Sequence, residues 1–259
     1  ISPAKQRGRD FAIILNGLNS MGYTVEWRVI NAGAFGMPQK RKRVFIFATK
    51  NEEFKSILKD VFPFDKQAHN DFMIDKDILT ISDNWGKEID VKKAFLSHGI
   101  CKNFQVSTTK GKDVFYGKQI TLGDILQPLS EVDKSFFVSA KELEDWKPFK
   151  LGRKLERKTK EGHSYIYSEG KMAFPDHLDK PSRTIITAEG GKTPSRFKHL
   201  VCQDGQYRRL TPVELERLQM FPDNHTDGFT DIKRAFFMGN ALVTGIVTEI
   251  GKAIQNKYQ

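Results

Sequence analysis

The sequence predicts an α/β fold, and three adjacent segments near its start support that prediction. Residues 9–21 place apolar side chains at the three- and four-residue spacing of an amphipathic helix. Residues 24–30 (TVEWRVI) alternate apolar and other side chains, which is typical of a strand. Residues 44–49 (VFIFAT) are apolar throughout, which indicates a strand buried on both faces. Helix, strand, loop and strand together are typical of the end of an α/β sheet.

The first helix and strand have clear local signals. Asp10 stands near the start of the helix, and Gly22 stands where a C-terminal cap belongs. Side chains alternate between the two faces of a strand. One face of the first strand is therefore expected to carry Val25, Trp27 and Val29. The opposite face is expected to carry Glu26 and Arg28.

The middle of the chain, from about Asn51 to Asp204, has a different pattern. Short aromatic-rich runs alternate with turn sequences such as DNWGKE, TTKGKD and AEGGK, which predicts a separate, irregular, mostly β domain. Within it, residues 150–160 (KLGRKLERKTK) carry six basic side chains against one Glu. A solvated surface and a contact with a phosphate backbone both account for such a run, and the sequence does not decide between them.

The last fifty residues return to regular helices. Thr211 and Glu214 have the spacing of a capping box, and Pro212 occupies the first helical position. A final helix is predicted over about 241–256, with apolar residues at helical spacing. Asn240 is expected to cap the start of this helix.

Composition narrows the class of partner. The chain has 259 residues with 42 Lys and Arg against 32 Asp and Glu, a net charge of 42 − 32 = +10, which favours a polyanion. No run approaches the roughly 18–20 apolar residues of a membrane span, and the first residues lack the apolar core of a signal peptide. The two cysteines, Cys101 and Cys202, form no CxxC pair, so we expect a reducing, cytoplasmic setting without disulfides or a zinc site.

A basic cluster follows the first strand. Residues 36–48 (GMPQKRKRVFIFA) set four basic side chains between a Gly-Met-Pro turn and the apolar strand. Exposed basic clusters are usually solvated surface. Here the turn on one side and the strand on the other fix the direction of the cluster, which raises the question of what the cluster holds.

Three segments, in their order along the chain, resemble the cytosine-5 DNA methyltransferases, and a fourth resembles part of that family's target-recognition domain. PQKRKR (38–43) is similar to that family's Gln-x-Arg-x-Arg motif. RRLTPVELERLQMFPD (208–223) resembles its Arg-x-Leu-Thr-Pro-x-Glu motif and the helix that follows. FFMGNALVTGIVTEIGKAI (236–254) resembles its closing Gly-Asn segment, and KPSRTIITAEGG (180–191) resembles the end of its target-recognition domain. The resemblance covers the whole chain but only the C-terminal part of the family's pattern.

Parts of the family's pattern are absent. Neither cysteine follows a Pro, as the nucleophile of the family's Pro-Cys-Gln loop does, and the Glu-Asn-Val segment and the Gly-rich turn for the methyl donor are missing. The resemblance therefore implies a C-terminal half or subunit, inactive without an N-terminal half that carries the catalytic Cys. It implies the C-terminal part of a Rossmann-like methyltransferase sheet over 1–50, a target-recognition domain over 51–205, and a bracing and a final helix over 206–259.

The resemblance also implies a reaction and roles for residues. A methyl group would pass from S-adenosylmethionine to carbon 5 of a cytosine flipped out of double-stranded DNA. Gln39, Arg41 and Arg43 are implied in catalysis, the arginines holding the oxygen of the flipped base and the phosphate beside it. Gly239 and Asn240 are implied in cofactor binding. DNA contacts are implied for Thr184, Arg183, Gly190, Gly191, Lys192, Arg196 and Lys198. No metal is expected.

The sequence leaves a rival open. A sequence-specific DNA-binding module that has lost catalysis would also keep the recognition domain. The arginine motif and the Gly239-Asn240 segment favour the enzyme, because a module that only binds DNA has no use for them. The family also implies a bacterial cytoplasmic protein from a restriction-modification system.

Overall fold

The computed structural model describes residues 6–51, 53–87, 90, 94–159 and 161–258. Their contacts group them into two compact units. Unit 1 takes its residues from Ile1–Phe35, Arg41–Gly117 and Ile246–Gln259, and unit 2 takes them from Gly36–Lys40 and Lys118–Gly245. The predicted recognition domain, 51–205, does not coincide with either unit, because residues 51–117 group with the first strands. Its extent as a functional domain stays a prediction.

Unit 1 is built on a five-stranded sheet in the order β2-β1-β4-β5-β3, in which every neighbouring pair is antiparallel. The strands are β1 (Thr24–Asn31), β2 (Lys42–Thr49), β3 (Phe64–Met73), β4 (His98–Lys102) and β5 (Gln105–Asp113). The helices are α1 (Arg9–Ser20), α2 (Leu58–Val61) and α3 (Ile78–Asn84), and the chain closes with α7 (Thr244–Tyr258), which belongs to this unit from Ile246 onward. The predicted first helix and both predicted strands are confirmed.

The burial of the first two strands is the reverse of what their sequences predict. VFIFAT is in β2, at the edge of the sheet, and its Val44 and Ile46 are 52% and 43% exposed. The alternating strand β1 lies inside the sheet, and Glu26 and Arg28 are buried along with Val25 and Trp27. An apolar run indicates that a strand tends to be buried. Whether the strand lies at the centre or at the edge of its sheet depends on pairing with strands that are distant in sequence.

The two buried charges of β1 are each paired with groups from elsewhere in unit 1. Glu26 accepts hydrogen bonds from the backbone N–H groups of Ile57, Leu58 and Lys59 at the start of α2, at 2.8–3.0 Å. Its carboxylate therefore compensates the unpaired donors and positive dipole of a helix N-terminus. Arg28 Nη2 donates to Asp113 Oδ1 at 2.7 Å, and its guanidinium lies 4.4 Å from the centre of the Phe64 ring.

Glu26 is expected to make the stability of unit 1 depend on pH. Burial raises the pKa of Glu26, but hydrogen bonds from His98, Ser56, Leu58 and Ile57 outweigh it and lower the pKa from 4.5 to about 2. The stabilisation, about 3 kcal/mol, is therefore present above pH 4.5 and is lost as the pH falls towards 2. Urea denaturation of wild type and Glu26→Gln between pH 2 and 7 should show their difference in unfolding free energy shrinking below pH 4.5. A difference that stays constant across this range would contradict the assignment.

Unit 2 is more irregular. Its elements are α4 (Ala140–Lys150), β6 (Arg153–Lys158), β7 (Ser164–Glu169), β8 (Val201–Gln203), β9 (Gln206–Arg208), α5 (Pro212–Leu218) and α6 (Asp231–Asn240). Strands β6 and β7 form one hairpin and β8 and β9 another. The core of unit 2 packs α5 and α6 against apolar residues from the chain before and between them, including Leu122, Ile185 and Val201. Lys160, in the predicted basic run, lies outside the described residues.

The capping box of α5 is confirmed. The Thr211 hydroxyl accepts from the backbone N–H of Glu214, the Glu214 carboxylate accepts from the backbone N–H of Thr211, and Pro212 begins the helix. Among the described residues, none of the helices combines the length and the apolar composition of a membrane span. The same residues contain no group of three or more His, Cys, Asp or Glu side chains that could hold a metal ion.

Candidate functional site

The segment that carries the Gln-x-Arg-x-Arg motif is docked inside unit 2 by its first residues. Lys40 N donates to Ser182 O at 2.7 Å, and Ser182 N donates to Pro38 O at 2.8 Å. Residues 38–40 and 182 thus pair like two short parallel strands, with Gln39 opposite Ser182. The first residues of the motif, 38–40, and the segment predicted to end the recognition domain are far apart in sequence but are neighbours in unit 2.

Gln39 holds this junction together. Its side chain is fully buried, and its amide makes two hydrogen bonds to the main chain. Gln39 Nε2 donates to Leu218 O at 3.2 Å, and Gln39 Oε1 accepts from Ile185 N at 3.0 Å. Gln39 therefore joins the end of α5 to the 182–185 segment. Its predicted catalytic role stays a prediction, and its contacts are those of a positioning residue.

Thr184 lies beside Gln39 on the same segment. Its hydroxyl donates a short hydrogen bond to Lys40 O. This contact fixes the main chain immediately before Arg41. The implied contact between Thr184 and a DNA phosphate stays a prediction, and the hydroxyl would have to exchange its present acceptor to donate to a phosphate.

The two arginines of the motif differ in their surroundings. Arg41 precedes β2 and is only 3% exposed, whereas Arg43 lies in β2 and is exposed. Burial, with a smaller contribution from the charge of Arg43, lowers the pKa of Arg41 to about 10, so Arg41 stays cationic at neutral pH. Arg43 Nη1 donates to Lys42 O at 2.8 Å. Arg43 is therefore the arginine of the motif that a bound anion can reach from solvent.

Sequence reasoning missed a buried set of polar side chains in unit 2, formed by Ser182, Glu189 and His199. His199 Nδ1 lies 2.9 Å from Glu189 Oε1, and His199 Nε2 lies 3.0 Å from Ser182 Oγ. All three residues are at most 3% exposed, so the set is placed to hold the 182–199 loop rather than to attack a substrate. Burial raises the pKa of the Glu189 carboxyl, but the charge of His199 and its hydrogen bonds outweigh that effect and lower it. No sequence period connects these residues, and only their three-dimensional proximity reveals the set.

Three basic residues predicted to contact DNA are bonded within unit 2. Arg183 donates to both carboxylate oxygens of Asp176, from Nε at 2.7 Å and from Nη2 at 3.0 Å. Lys198 Nζ donates to Gly191 O at 2.9 Å and to Thr193 O at 2.7 Å. Arg196 donates to the main-chain carbonyls of residues 149 and 170. The DNA contacts of these three residues stay predictions. The contact predicted for Lys192 also stays a prediction, but its side chain is exposed.

The predicted glycines meet other parts of unit 2 closely. A Cβ on Gly190 would lie 2.7 Å from Asp231 O, and one on Gly239 would lie 2.4 Å from Thr187 N. A Cβ on Gly191 would meet Lys198 Nζ at 2.9 Å. Gly190 and Gly239 thus allow α6 to pack directly on the 186–191 main chain. Their implied roles at DNA and at the cofactor stay predictions.

The structure corrects the position of Asn240. Gly239 and Asn240 end α6, and the final helix begins at Thr244 rather than near 241, so Asn240 is not its N-cap. Asn240 Nδ2 instead donates to Phe236 O at 3.0 Å within α6. The side chain is exposed, as a residue that contacts a bound molecule must be, whereas Gly239 is used in packing. Of the two residues, Asn240 fits a direct contact with a methyl donor.

Neither cysteine has the surroundings of a nucleophile. Cys101 is buried in β4, and burial raises its pKa to about 12, an effect that exceeds the opposing hydrogen bond to Asn19. A thiol with this pKa stays protonated at neutral pH. Cys202 lies within the short β8–β9 hairpin, opposite Tyr207, rather than on a loop that could close over a base.

Solved structures with the same architecture are methyltransferases. The Entamoeba histolytica methyltransferase EhMeth aligns with a TM-score of 0.54 and 12% identity, over 96% of this chain and 58% of that one. The S. pombe Dnmt2 methyltransferase aligns with a TM-score of 0.51 and 14% identity, over 93% and 60% of the two chains. At these identities the likeness shows the fold alone, which is an α/β methyltransferase fold.

The C-5 cytosine-specific DNA methylase family matches residues 3–256, and the chain belongs to this family. The type II methyltransferase M.Sau3AI of Staphylococcus aureus is 39% identical, over 98% of this chain and 64% of its own length. The type II methyltransferase M.DsaV of Dactylococcopsis salina is 32% identical, over 95% and 52%. The chain therefore spans between about half and two thirds of the length of these relatives.

Proposed function

We propose that this chain forms part of a DNA (cytosine-5) methyltransferase, which transfers a methyl group from S-adenosylmethionine to cytosine in a specific duplex site. The observation that supports this most is the docking of residues 38–40 on residues 182–185, since it joins the first residues of the motif, including Gln39, to the implied recognition segment within unit 2. In this proposal the chain supplies the C-terminal part of the catalytic sheet and the recognition domain. It acts in the bacterial cytoplasm beside a restriction enzyme.

The chemistry assigns distinct tasks to the residues of this chain. Carbon 5 of cytosine becomes nucleophilic once a thiolate adds at carbon 6, and S-adenosylmethionine supplies the methyl group that carbon 5 accepts. The flipped base must be held while charge develops on its ring. Arg43, which is exposed, fits the base oxygen or the neighbouring phosphate, and the buried Arg41 adds a fixed positive charge beside it. Gln39 and Thr184 hold residues 39 and 40, which immediately precede Arg41 in the chain.

The environments of Cys101 and Cys202 support a nucleophile that lies outside these 259 residues. The edge of the unit 1 sheet supports association with further protein. Strand β2 pairs only with β1 among the described strands, and it exposes the apolar residues Val44 and Ile46. Burial of this strand edge against another strand would satisfy its free hydrogen-bonding groups. In this proposal the added protein carries the Pro-Cys-Gln loop.

Transfer of a labelled methyl group from S-adenosylmethionine to mixed-sequence DNA tests the proposal. The chain alone is expected to be inactive, and activity is expected when a polypeptide with the Pro-Cys-Gln loop is added. Cys101→Ser and Cys202→Ser should keep that activity, whereas a Cys→Ser change in the added loop should abolish it. Activity of the chain alone that disappears in Cys202→Ser would overturn the assignment of the nucleophile. Specific DNA binding without transfer under any condition would support the non-catalytic binding module instead.

A further inference from the structure

The hairpin of β6 and β7, here called the 153–169 ribbon, has no other sheet partner among the described strands. Its side chains are largely exposed on both faces, including Tyr165 at 44%, Ile166 at 70% and Tyr167 at 37%. An isolated two-stranded hairpin is only marginally stable in water. A ribbon that keeps aromatic and apolar side chains exposed on two sides is therefore suited to a partner that encloses both faces.

The base of the ribbon is firmly held. The buried Lys150 Nζ donates to Arg196 O at 2.8 Å and to Lys198 O at 2.6 Å. Arg196 in turn donates to Gly170 O and lies 3.7 Å from the carboxylate of Glu169. These contacts join both ends of the ribbon to the 182–199 loop. The ribbon is thus a fixed projection of unit 2.

The two faces of the ribbon carry different chemistry. Directly opposite residues share a face, so Leu155 and Arg157 lie with Tyr167 and Tyr165. On this face the Arg157 guanidinium lies 3.9 Å from the centre of the Tyr167 ring, which limits its freedom. The opposite face carries the exposed Lys154 and Lys158, with the exposed Glu156 between them. One face thus presents an oriented planar donor, and the other presents two flexible lysine charges beside one carboxylate.

We propose that the 153–169 ribbon enters the major groove of the DNA substrate, where Arg157 donates to the edge of a guanine and Lys154 and Lys158 contact phosphates. The inference rests on the proposed function for the identity of the polyanion. The major groove, about 12 Å wide, admits a two-stranded ribbon, and an arginine paired with guanine is its commonest specific contact. Five Lys and Arg against three Glu over residues 153–169 match an anionic partner.

The bonding of the other basic residues supports the ribbon as the reading element. Arg183, Arg196 and Lys198 donate to groups within unit 2, and their side chains stabilise the 182–199 loop. The side chain of Arg157 is exposed, and its described contact is the ring beneath it. Phosphate contacts position a protein on DNA, whereas base contacts specify the sequence. The ribbon offers both kinds of contact from one element.

Selection of duplexes from a random-sequence library by the assembled protein, followed by affinity measurements at several salt concentrations, tests the inference. Arg157→Lys keeps the charge but removes the fork, so the preference for one guanine should fall by about 10- to 100-fold with little change in general affinity. Lys154→Gln with Lys158→Gln should weaken all duplexes alike and lower the salt slope by about 0.9 for each lysine. Lys252→Gln, an exposed lysine of α7, is the matched control and should change neither quantity.

The outcomes separate this inference from the proposed function. Altered sequence selection in Arg157→Lys without any methyl transfer by the wild type would support the ribbon while the enzyme assignment fails. Unchanged selection and salt slope in the ribbon variants, with a wild type that discriminates between sequences, would overturn the ribbon alone. A wild type that binds no DNA would overturn both. Unchanged circular dichroism spectra would confirm that the variants are folded.

Discussion

Glu214→Gln is expected to lower the free energy of unfolding of unit 2 by about 3–5 kcal/mol, the cost of breaking a fully buried ion pair. Glu214 and Arg208 are both completely buried. The Arg208 guanidinium donates to the two carboxylate oxygens of Glu214 at 2.6 and 2.9 Å. Gln preserves the size of the side chain and can still accept from Thr211 N, so helix capping is retained. The loss comes from the charge left on Arg208 without a buried counterion.

Urea denaturation, with hydrogen exchange of α5 amides as a local readout, measures this effect. Glu144→Gln is the matched control because Glu144 pairs with Lys147 on the exposed face of α4, where such pairs contribute about 0–1 kcal/mol. A loss below about 1 kcal/mol for Glu214→Gln would mean that Arg208 is stabilised by its other acceptors. Gln203 Oε1, which accepts from Arg208 Nη2 at 2.6 Å, is the first of these.

Arg43→Ala is expected to lower the single-turnover rate of methyl transfer by about 100-fold in the assembled enzyme, with a smaller loss of DNA affinity. The magnitude is that of removing one donor from a site where charge develops in the transition state. Arg43 is exposed and can therefore reach a base oxygen or a phosphate. The hydrogen bond of Gln39 to Leu218 does not involve Arg43, so the substitution leaves the docking of Gln39 in place. Single-turnover rates and dissociation constants measured on one duplex separate the two effects.

Two further variants sharpen the test of Arg43. Arg43→Lys keeps the charge but not the fork and should recover only part of the rate. Lys42 directly precedes Arg43 in β2, and its side chain is exposed on the other face of the strand. Lys42→Ala therefore removes a charge nearby and should leave the rate unchanged. Equal losses of rate and affinity in Arg43→Ala would contradict a role in holding the flipped base.

Local signals in the sequence predicted the elements that depend on local structure. The period of residues 9–21 and the Thr211–Glu214 spacing correctly predicted α1 and the capped start of α5. The resemblance correctly indicated the family, because its motifs recur in order along the chain. The two helix predictions depended on residues close in sequence, and each motif of the resemblance is itself a short run of adjacent residues.

Long-range pairing decided what the sequence could not predict. Glu26 can be buried because it accepts hydrogen bonds from the main chain at the start of α2, and Val44 is exposed because β2 lies at the sheet edge. The residues of β1 and β2 alone do not predict either of these facts. The set of Ser182, Glu189 and His199 was missed for the same reason, since its members meet only after the 182–199 loop has folded.

The 153–169 ribbon is joined to the rest of unit 2 largely through main-chain carbonyl groups, which do not depend on the identity of the residue. Lys150 and Arg196 donate to main-chain carbonyls at residues 170, 196 and 198, and the register of β6 and β7 is a backbone ladder. Substitutions between residues 154 and 168 therefore leave these attachments in place. If the ribbon reads DNA as proposed, substitutions there change the recognised sequence without disturbing the core of unit 2. The ribbon is then the segment in which to engineer a new target sequence.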